Sequence, residues 1–210
     1  MTNTSTPPQI FNKYAQVYQE KFMDVSLYHK TFDFFCEAVK PKNASILELA
    51  CGPGNITKYL LYKRDDFNVL GTDLAPNMIE LAEANNPKAG FMLLNSKNVL
   101  SLNKKFDAIM SGFFLPYLSI EETSQLISDS SKILNPNGVI YISTIEANYK
   151  NSGLKKGSQG DEIYMYYYQE KDLIKMLEEN NFTPTYIKRI ISTDTNEDTV
   201  TDLIIIAKLN

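Results

Sequence analysis

The 210-residue sequence has few of the residues that build metal sites and disulfide frameworks. It contains two cysteines, Cys36 and Cys51, one histidine, His29, and no tryptophan. The cysteines lie in different predicted environments at no CxxC spacing, and a lone histidine cannot form a ligand cluster. We therefore expect no disulfide, no zinc site and no metal cofactor.

Strong charge and long apolar runs are also missing. The net charge of −4 lacks the cationic surface that nucleic-acid binding needs. No run approaches the roughly 20 apolar residues of a membrane span, and the polar segment 1–9 does not resemble a signal peptide. We expect a cytoplasmic, single-domain protein with neither nucleic acid nor membrane as a partner.

Two helices are predicted before the first strand. Ile10, Tyr14 and Val17 recur at helical spacing, and a second helical pattern runs from residue 27 to 38. The apolar run 45–49 is typical of a buried parallel strand.

Helices and strands then alternate up to the fifth strand. Ser119 and Glu122 form the S-x-x-E pattern of a capping box, which predicts a helix start. Such alternation indicates a mostly parallel sheet with helices on both faces and a ligand crevice at the carboxyl ends of its strands. The predicted helices cover 54–62, 76–86 and 120–134, and the predicted strands cover 67–71, 91–94, 107–111 and, after a turn at 135–138, 139–143.

The rhythm changes after the fifth strand. Residues 148–160 are rich in Gly, Ser and Lys and predict an inserted loop, and the aromatic run 164–168 predicts an extra strand. A helix near 172–180 follows. Two strands, 186–192 and 201–208, flank the short polar segment 193–198 and predict an antiparallel hairpin.

Two loops at the carboxyl edge carry a binding pattern. Residues 50–54 read Ala-Cys-Gly-Pro-Gly, which lets a ligand approach the backbone of a strand-to-helix turn. Asp73 ends the second strand, where a carboxylate can accept hydrogen bonds from both hydroxyls of an adenosine ribose. Each feature alone also fits an ordinary turn or loop carboxylate, and their combination favours a ligand.

These two segments carry a family resemblance. Residues 47–54 resemble motif I of the class I S-adenosylmethionine-dependent methyltransferases, and residues 71–78 resemble the segment that follows it. The resemblance implies a Rossmann-like three-layer α/β/α sandwich with a seven-stranded, mostly parallel sheet, an antiparallel last strand and an N-terminal helical cap. It also implies S-adenosyl-L-methionine as cofactor and S-adenosyl-L-homocysteine as product.

The resemblance assigns roles along the cofactor. Glu48 helps to hold the methionine amino end, Asp73 binds the ribose, and Leu74 and Met78 flank the adenine. Asn95-Ser96 stands where family members often have Asp and a small residue, although an amide and a hydroxyl can also bond adenine. The predicted cofactor contacts are Glu48, Ala50, Cys51, Gly52, Gly54, Asp73, Leu74, Met78, Asn95, Ser96, Ser111, Gly112, Tyr14 and Tyr18.

Two residues of the motif I loop need comment. Ala50 replaces the first glycine of many members, and its methyl group is tolerated if the local φ is negative. Cys51 is predicted to be a small packed residue, with a reactive thiol as the alternative.

On the acceptor side, the resemblance places the loop 113–117 beside the substrate. Phe113, Tyr117 and Tyr166 are the predicted substrate-binding residues. The cap brings Tyr14 and Tyr18 near the methionine end, or else both are core residues of the cap.

Two further aromatic features have open interpretations. The alternating Tyr164, Tyr166 and Tyr168 form a substrate wall, a subunit contact or a buried two-sided strand. His29 is a general base or, as for most lone histidines, a structural residue. No catalytic residue is assigned.

We thus predict an S-adenosylmethionine-dependent methyltransferase that acts on a small-molecule acceptor by in-line displacement. An NAD-dependent oxidoreductase shares Gly52-x-Gly54, but Thr57 stands at the position of its third glycine. A nucleic-acid adenine methyltransferase matches residues 115–117 only partly, and a non-catalytic S-adenosylmethionine-binding protein stays open. The predicted single domain comprises a cap (1–42), a cofactor-binding core (43–145), an insertion (146–170) and a C-terminal helix with hairpin (171–210).

Overall fold

Seven strands form one mixed sheet at the centre of the molecule. The computed structural model describes residues 6–157, 159–193 and 198–210. The described residues contain these seven strands and two further ones: β1 (Ser45–Leu49), β2 (Asn68–Asp73), β3 (Gly90–Leu93), β4 (Phe106–Ser111), β5 (Leu134–Ile145), β6 (Gly153–Lys156), β7 (Glu162–Met165), β8 (Phe182–Thr193) and β9 (Thr199–Leu209). The sheet has the order β3-β2-β1-β4-β5-β9-β8, and β6 and β7 form a separate hairpin.

Strands β1 to β5 run parallel, and β9 is antiparallel to both of its neighbours. This arrangement confirms the predicted seven-stranded Rossmann-like sheet with its antiparallel last strand. The helices are α1 (Pro7–Lys13), α2 (Ala15–Phe22), α3 (His29–Ala38), α4 (Asn55–Lys63), α5 (Pro76–Asn85), α6 (Ile120–Ile133) and α7 (Glu170–Glu179).

Two apolar cores lie on opposite faces of the sheet. Because neighbouring strand residues point to opposite faces, Leu47 and Ile109 pack in one core while Ile46 and Met110 pack in the other. The first core also contains residues of α6 and α7, and the second contains residues of α3 and α4. The three-layer arrangement therefore follows from near-continuous apolar runs in the central strands.

The N-terminal cap differs from its prediction. The first helical pattern is interrupted at Tyr14, whose φ of −112° and ψ of 22° are not helical, so that α1 and α2 are separate helices. Residues 26–28 form a short 3-10 turn ahead of α3. The capping box of α6 is confirmed, because Ser119 Oγ accepts the Glu122 N–H and Glu122 Oε2 accepts the Ser119 N–H.

The predicted turn at 135–138 lies within β5. Residues 135–138 loop out opposite Asp107 alone, between the pairs Phe106–Leu134 and Ala108–Val139. The Asn135 amide donates to Asp107 Oδ1 at 2.8 Å and fixes this loop against β4.

The insertion also needs a correction. The predicted strand 164–168 is instead β7, which ends at Met165 and pairs with a β6 that the sequence did not indicate. Tyr164 is 44% exposed, so the buried two-sided strand is wrong, whereas Tyr168 beyond it is fully buried. Most of the predicted hairpin link 193–198 lies outside the described residues.

No helix in the described part of the chain is long and apolar enough to cross a membrane. Within the same residues no cluster of three metal-ligating side chains occurs, and Cys36 and Cys51 are buried free thiols.

Candidate cofactor and substrate site

A cavity of about 240 Å³ lies where β1, β2, β3 and β4 end, beneath the cap. This is the edge of the sheet at which the sequence places the site. The cavity is lined by Pro7, Pro8, Phe11, Tyr18, Ala50, Gly52, Asp73, Leu74, Met78, Leu94, Asn95, Ser96, Lys97, Gly112, Phe113, Phe114, Tyr117, Leu118 and Glu122.

The loop after β1 forms one wall. Ala50, Gly52 and Gly54 all have positive φ, at 51°, 53° and 76°. The condition under which the Ala50 methyl was expected to fit, a negative φ, is therefore wrong, and this residue occupies a conformation that favours glycine. Ala50 and Gly52 line the cavity, whereas Gly54 packs below it, where an added Cβ would lie 2.3 Å from Asn86 Nδ2.

Asp73 is held firmly in the second wall. Its Oδ2 accepts the Gly52 N–H at 3.0 Å, and its Oδ1 accepts the Ala75 N–H at 2.9 Å. Burial raises the pKa of Asp73 above its usual value, while these backbone bonds act to lower it. The two loops predicted to share a ligand are thus bonded directly to each other.

Glu48 lies beneath the cavity and does not line it. It is 1% exposed, its Oε2 accepts a hydrogen bond from the Thr57 hydroxyl, and its Oε1 is without a partner in the described structure. Burial, reinforced by the Asp73 carboxylate, raises the pKa of Glu48 to about 8. The contact also gives Thr57 a structural reason to stand where a dinucleotide fingerprint has its third glycine.

The cap forms the roof. The ring of Tyr18 covers Gly52, since an added Cβ there would lie 3.7 Å from Tyr18 Cε1. Phe11 contacts Tyr18 and Tyr117 edge to face, with centroid distances of 5.7 and 5.1 Å. Tyr14, a predicted cofactor contact, does not line the cavity, and its hydroxyl instead donates to Asp161 Oδ2 at 2.5 Å.

The loop after β4 forms the wall beside the roof. Phe113 has a φ of 58°, which is strained for a bulky residue, and its N–H donates to Ser143 Oγ at 2.7 Å. Leu115 and Pro116 are buried and do not line the cavity, so the position of the polar residue in an adenine methyltransferase motif does not face it. Tyr117 does line it, and burial raises the pKa of its hydroxyl to about 12.

Several predicted residues lie elsewhere. Cys51 is buried, and burial raises its pKa well above the usual value, which supports the packed-residue interpretation. Ser111 is buried and does not line the cavity, and its hydroxyl has no partner among the described residues. Tyr166 lies outside the lining, where it stacks on Tyr149 and contacts Tyr164 at a tilt, and His29 stacks on Tyr59 at 4.1 Å.

The sequence did not single out part of the lining. Phe11 precedes Tyr18 by seven residues, a helical spacing that could have indicated a shared face. Lys97 and Glu122 form an ion pair at 2.5 Å between residues distant in sequence, and only the capping role of Glu122 was visible. The missed lining residues are Pro7, Pro8, Phe11, Leu94, Lys97, Leu118 and Glu122, and Phe114 was predicted only as part of the loop 113–117.

Known proteins resemble this chain in sequence and fold. A family model described as a methyltransferase domain matches residues 46–138. An uncharacterized methyltransferase of Oceanobacillus iheyensis is 28% identical, over 62% of this chain and 63% of its own length. The chain spans about half to two thirds of the length of the first curated relatives that it matches.

Solved structures share the whole fold. One is a magnesium protoporphyrin IX methyltransferase from Synechocystis PCC 6803, crystallised with bound S-adenosylmethionine. It aligns with this chain at a TM-score of 0.70 and 16% identity, and the alignment covers 100% of each chain. The cyclase SpnF has a TM-score of 0.72 at 12% identity and covers 98% of this chain and 97% of its own. In its strand order, its motif I loop and the methyltransferase domain matched at residues 46–138, the chain resembles the class I S-adenosylmethionine-dependent methyltransferases, whose fold it shares.

Proposed function

We propose that this chain transfers a methyl group from S-adenosyl-L-methionine to a small-molecule acceptor. The observation that carries the proposal is Asp73, a cavity-lining carboxylate fixed by the N–H groups of Gly52 and Ala75. Each of its oxygens keeps acceptor capacity, so the pair can accept both hydroxyls of a ribose. The Synechocystis relative with bound S-adenosylmethionine supports this cofactor.

Buried polar atoms near the cavity also fit a polar ligand. Glu48 Oε1 and Ser111 Oγ lack partners in the described structure, and such groups are costly unless a ligand or water satisfies them. We propose that Glu48 serves the methionine amino end, directly or through water, while Leu74 and Met78 flank the adenine.

The chemistry requires alignment more than acid–base groups. S-adenosylmethionine supplies the methyl group already activated on a sulfonium, and the protein aligns the acceptor and excludes water. Tyr18, Phe11 and Tyr117 close the roof as a contiguous aromatic cluster, and Phe113 closes the side. No histidine or cysteine occurs among the described lining residues, and the proposal assigns no catalytic base.

The lining supports a small acceptor of low charge. Among the described lining residues the one cationic side chain is Lys97. It is paired with Glu122 and therefore does not attract a phosphate or polycarboxylate. We also propose that the chain is one domain with a cap (1–42), a cofactor-binding core (43–145), an insertion (146–170) and a C-terminal helix with hairpin (171–210). A cytoplasmic location stays a prediction from the sequence.

One alternative has a specific observation in its favour. The cyclase SpnF has the same fold, so the fold by itself does not require methyl transfer. A cofactor-binding protein without transfer activity would bind S-adenosylhomocysteine but release none from S-adenosylmethionine with any acceptor. Incubation with S-adenosylmethionine and a panel of phenols, amines and carboxylic acids separates these functions.

Cofactor binding is tested by thermal unfolding with S-adenosylhomocysteine or NAD. A ligand at about 100 times its Kd stabilises the native state by about 2.7 kcal/mol, which raises Tm by roughly 5–10 °C for this chain length. We expect that rise with S-adenosylhomocysteine in the wild type and in the control Glu83→Gln, which removes an exposed carboxylate on α5. Asp73→Ala should abolish most of the rise, whereas a rise with NAD alone would contradict the proposal.

A further inference from the structure

An ion pair closes one end of the cavity. Lys97 Nζ lies 2.5 Å from Glu122 Oε1, and both side chains line the cavity beside Asn95. The other oxygen, Glu122 Oε2, accepts the Ser119 N–H at 2.9 Å at the start of α6. This end of the cavity thus contains a carboxylate that is oriented from two sides.

Asn95 contributes a hydrogen-bond donor next to the Glu122 carboxylate, which is an acceptor. Its Oδ1 accepts the Lys97 N–H at 3.0 Å and caps the 3-10 turn 96–102. The two N–H groups of Asn95 Nδ2 make no hydrogen bond within the described residues, so Asn95 can offer them to a ligand. Asn95 therefore acts at this wall as a donor.

Adenine requires such a combination. Its Watson–Crick edge presents the 6-amino donor next to the N1 acceptor, so a complementary wall needs an acceptor beside a donor. Asp73 is assigned to the ribose hydroxyls in the proposed function, so it is not counted as an acceptor for the adenine edge. Besides Asn95 Oδ1, which already accepts the Lys97 N–H, the side-chain acceptors at this end are the Glu122 carboxylate and the Ser96 hydroxyl.

We propose that Glu122 selects the adenine ring by accepting a hydrogen bond from its 6-amino group, while Asn95 Nδ2 donates to N1. The inference rests on the proposed function and names which residues read the base. A carboxylate makes stronger hydrogen bonds than a hydroxyl, and Lys97 and Ser119 hold it in place. Hypoxanthine carries an oxygen at position 6 and N–H at position 1, so both contacts would become mismatched.

The test is calorimetric binding of S-adenosylhomocysteine and S-inosylhomocysteine. The wild type should prefer the adenosyl compound by about tenfold or more, as expected for a paired donor and acceptor contact. Glu122→Gln preserves the capping box, since Gln is its usual alternative, but leaves an amide nitrogen towards the base. We expect this variant to lose most of the preference by binding S-adenosylhomocysteine more weakly.

Two variants control the experiment. Glu121→Gln changes the neighbouring carboxylate, which bonds Ser119 Oγ but does not line the cavity, and should keep the wild-type preference. Ser96→Ala should keep it as well. Full preference in folded Glu122→Gln, or its loss in Ser96→Ala alone, would overturn the assignment to Glu122.

A further measurement uses the wild type alone. The N6,N6-dimethyl derivative of S-adenosylhomocysteine lacks both amino protons but keeps N1 as an acceptor, so it should bind more weakly than the parent compound, whereas binding equal to that of the parent would overturn the inference. If the wild type does not bind S-adenosylhomocysteine, the proposed function fails and the inference fails with it. If it binds without regard to the 6-amino group, only the inference fails.

Discussion

The Tyr14 hydroxyl donates a hydrogen bond of 2.5 Å to Asp161, which lies 147 residues further along the chain. Tyr14 is the break between α1 and α2, and Asp161 immediately precedes β7. Lys13 Nζ lies 3.4 Å from the same carboxylate oxygen. The contact joins the cap over the cavity to the inserted hairpin, two segments that share no strand of the main sheet.

Tyr14→Phe removes the hydroxyl but keeps the ring, so the cap should open more often. We expect faster amide hydrogen exchange across residues 7–22 and faster dissociation of S-adenosylhomocysteine, because local opening depends on few such contacts. Tyr62→Phe is the matched control, since Tyr62 is 83% exposed on α4. Unchanged exchange in the cap of Tyr14→Phe would show that the hydrogen bond does not restrain it.

Ala50→Gly should stabilise the protein. Ala50 has a φ of 51°, and a left-handed conformation costs an L-residue roughly 1–2 kcal/mol. Glycine loses part of this gain to the entropy of the unfolded chain, which leaves a net gain of up to about 1 kcal/mol. Urea unfolding measures it.

Ala84→Gly is the control for that substitution, because Ala84 is an exposed residue within α5. There the same change should cost roughly 0.5–1 kcal/mol. Opposite signs at the two positions would confirm that backbone conformation decides the effect, and destabilisation at both would contradict the strain at Ala50.

Glu48 should make the stability of the ligand-free protein depend on pH. Burial raises its pKa in the folded chain to about 8, against a usual value of 4.5. Between these values the folded state binds the additional proton, so the free energy of unfolding falls as pH rises, by at most about 1.4 kcal/mol per pH unit. This contribution is complete below pH 4.5 and lost above pH 8.

Glu48→Gln removes the titration and keeps an oxygen for the Thr57 hydroxyl. The wild type should lose stability relative to this variant in urea unfolding at pH 5.5, 6.5 and 7.5. A constant difference across that range would show that Glu48 does not titrate there.

The sequence contains enough information to locate the site because the relevant signals are local. The apolar run of β1, the small residues after it and Asp73 each have a short-range pattern, and parallel strands bring their carboxyl ends to one edge. The rule that places this crevice needs no side-chain detail. Thus much of the cavity lining was predicted, including Gly52, Met78 and Gly112.

The remaining features depend on packing between distant segments. The helix break at Tyr14 accompanies its bond to Asp161, and the role of Glu122 depends on Lys97, which lies on another element. Neither pair has a sequence spacing that identifies it. The positive φ of Ala50 was also unpredictable from residue type, because alanine rarely adopts it.

Three glycine-to-alanine substitutions should separate backbone strain from steric overlap. Gly153 has ordinary φ and open space, Gly160 has a φ of 88° and open space, and Gly54 has a φ of 76° with Asn86 Nδ2 only 2.3 Å from an added Cβ. We expect little change at Gly153, a loss of about 1–2 kcal/mol at Gly160, and roughly 2–5 kcal/mol at Gly54, where overpacking adds to strain. Chemical denaturation gives the three values. Equal losses at Gly54 and Gly160 would mean that the Asn86 side chain moves aside at no cost, and that the close packing of Gly54 against Asn86 does not stabilise the loop.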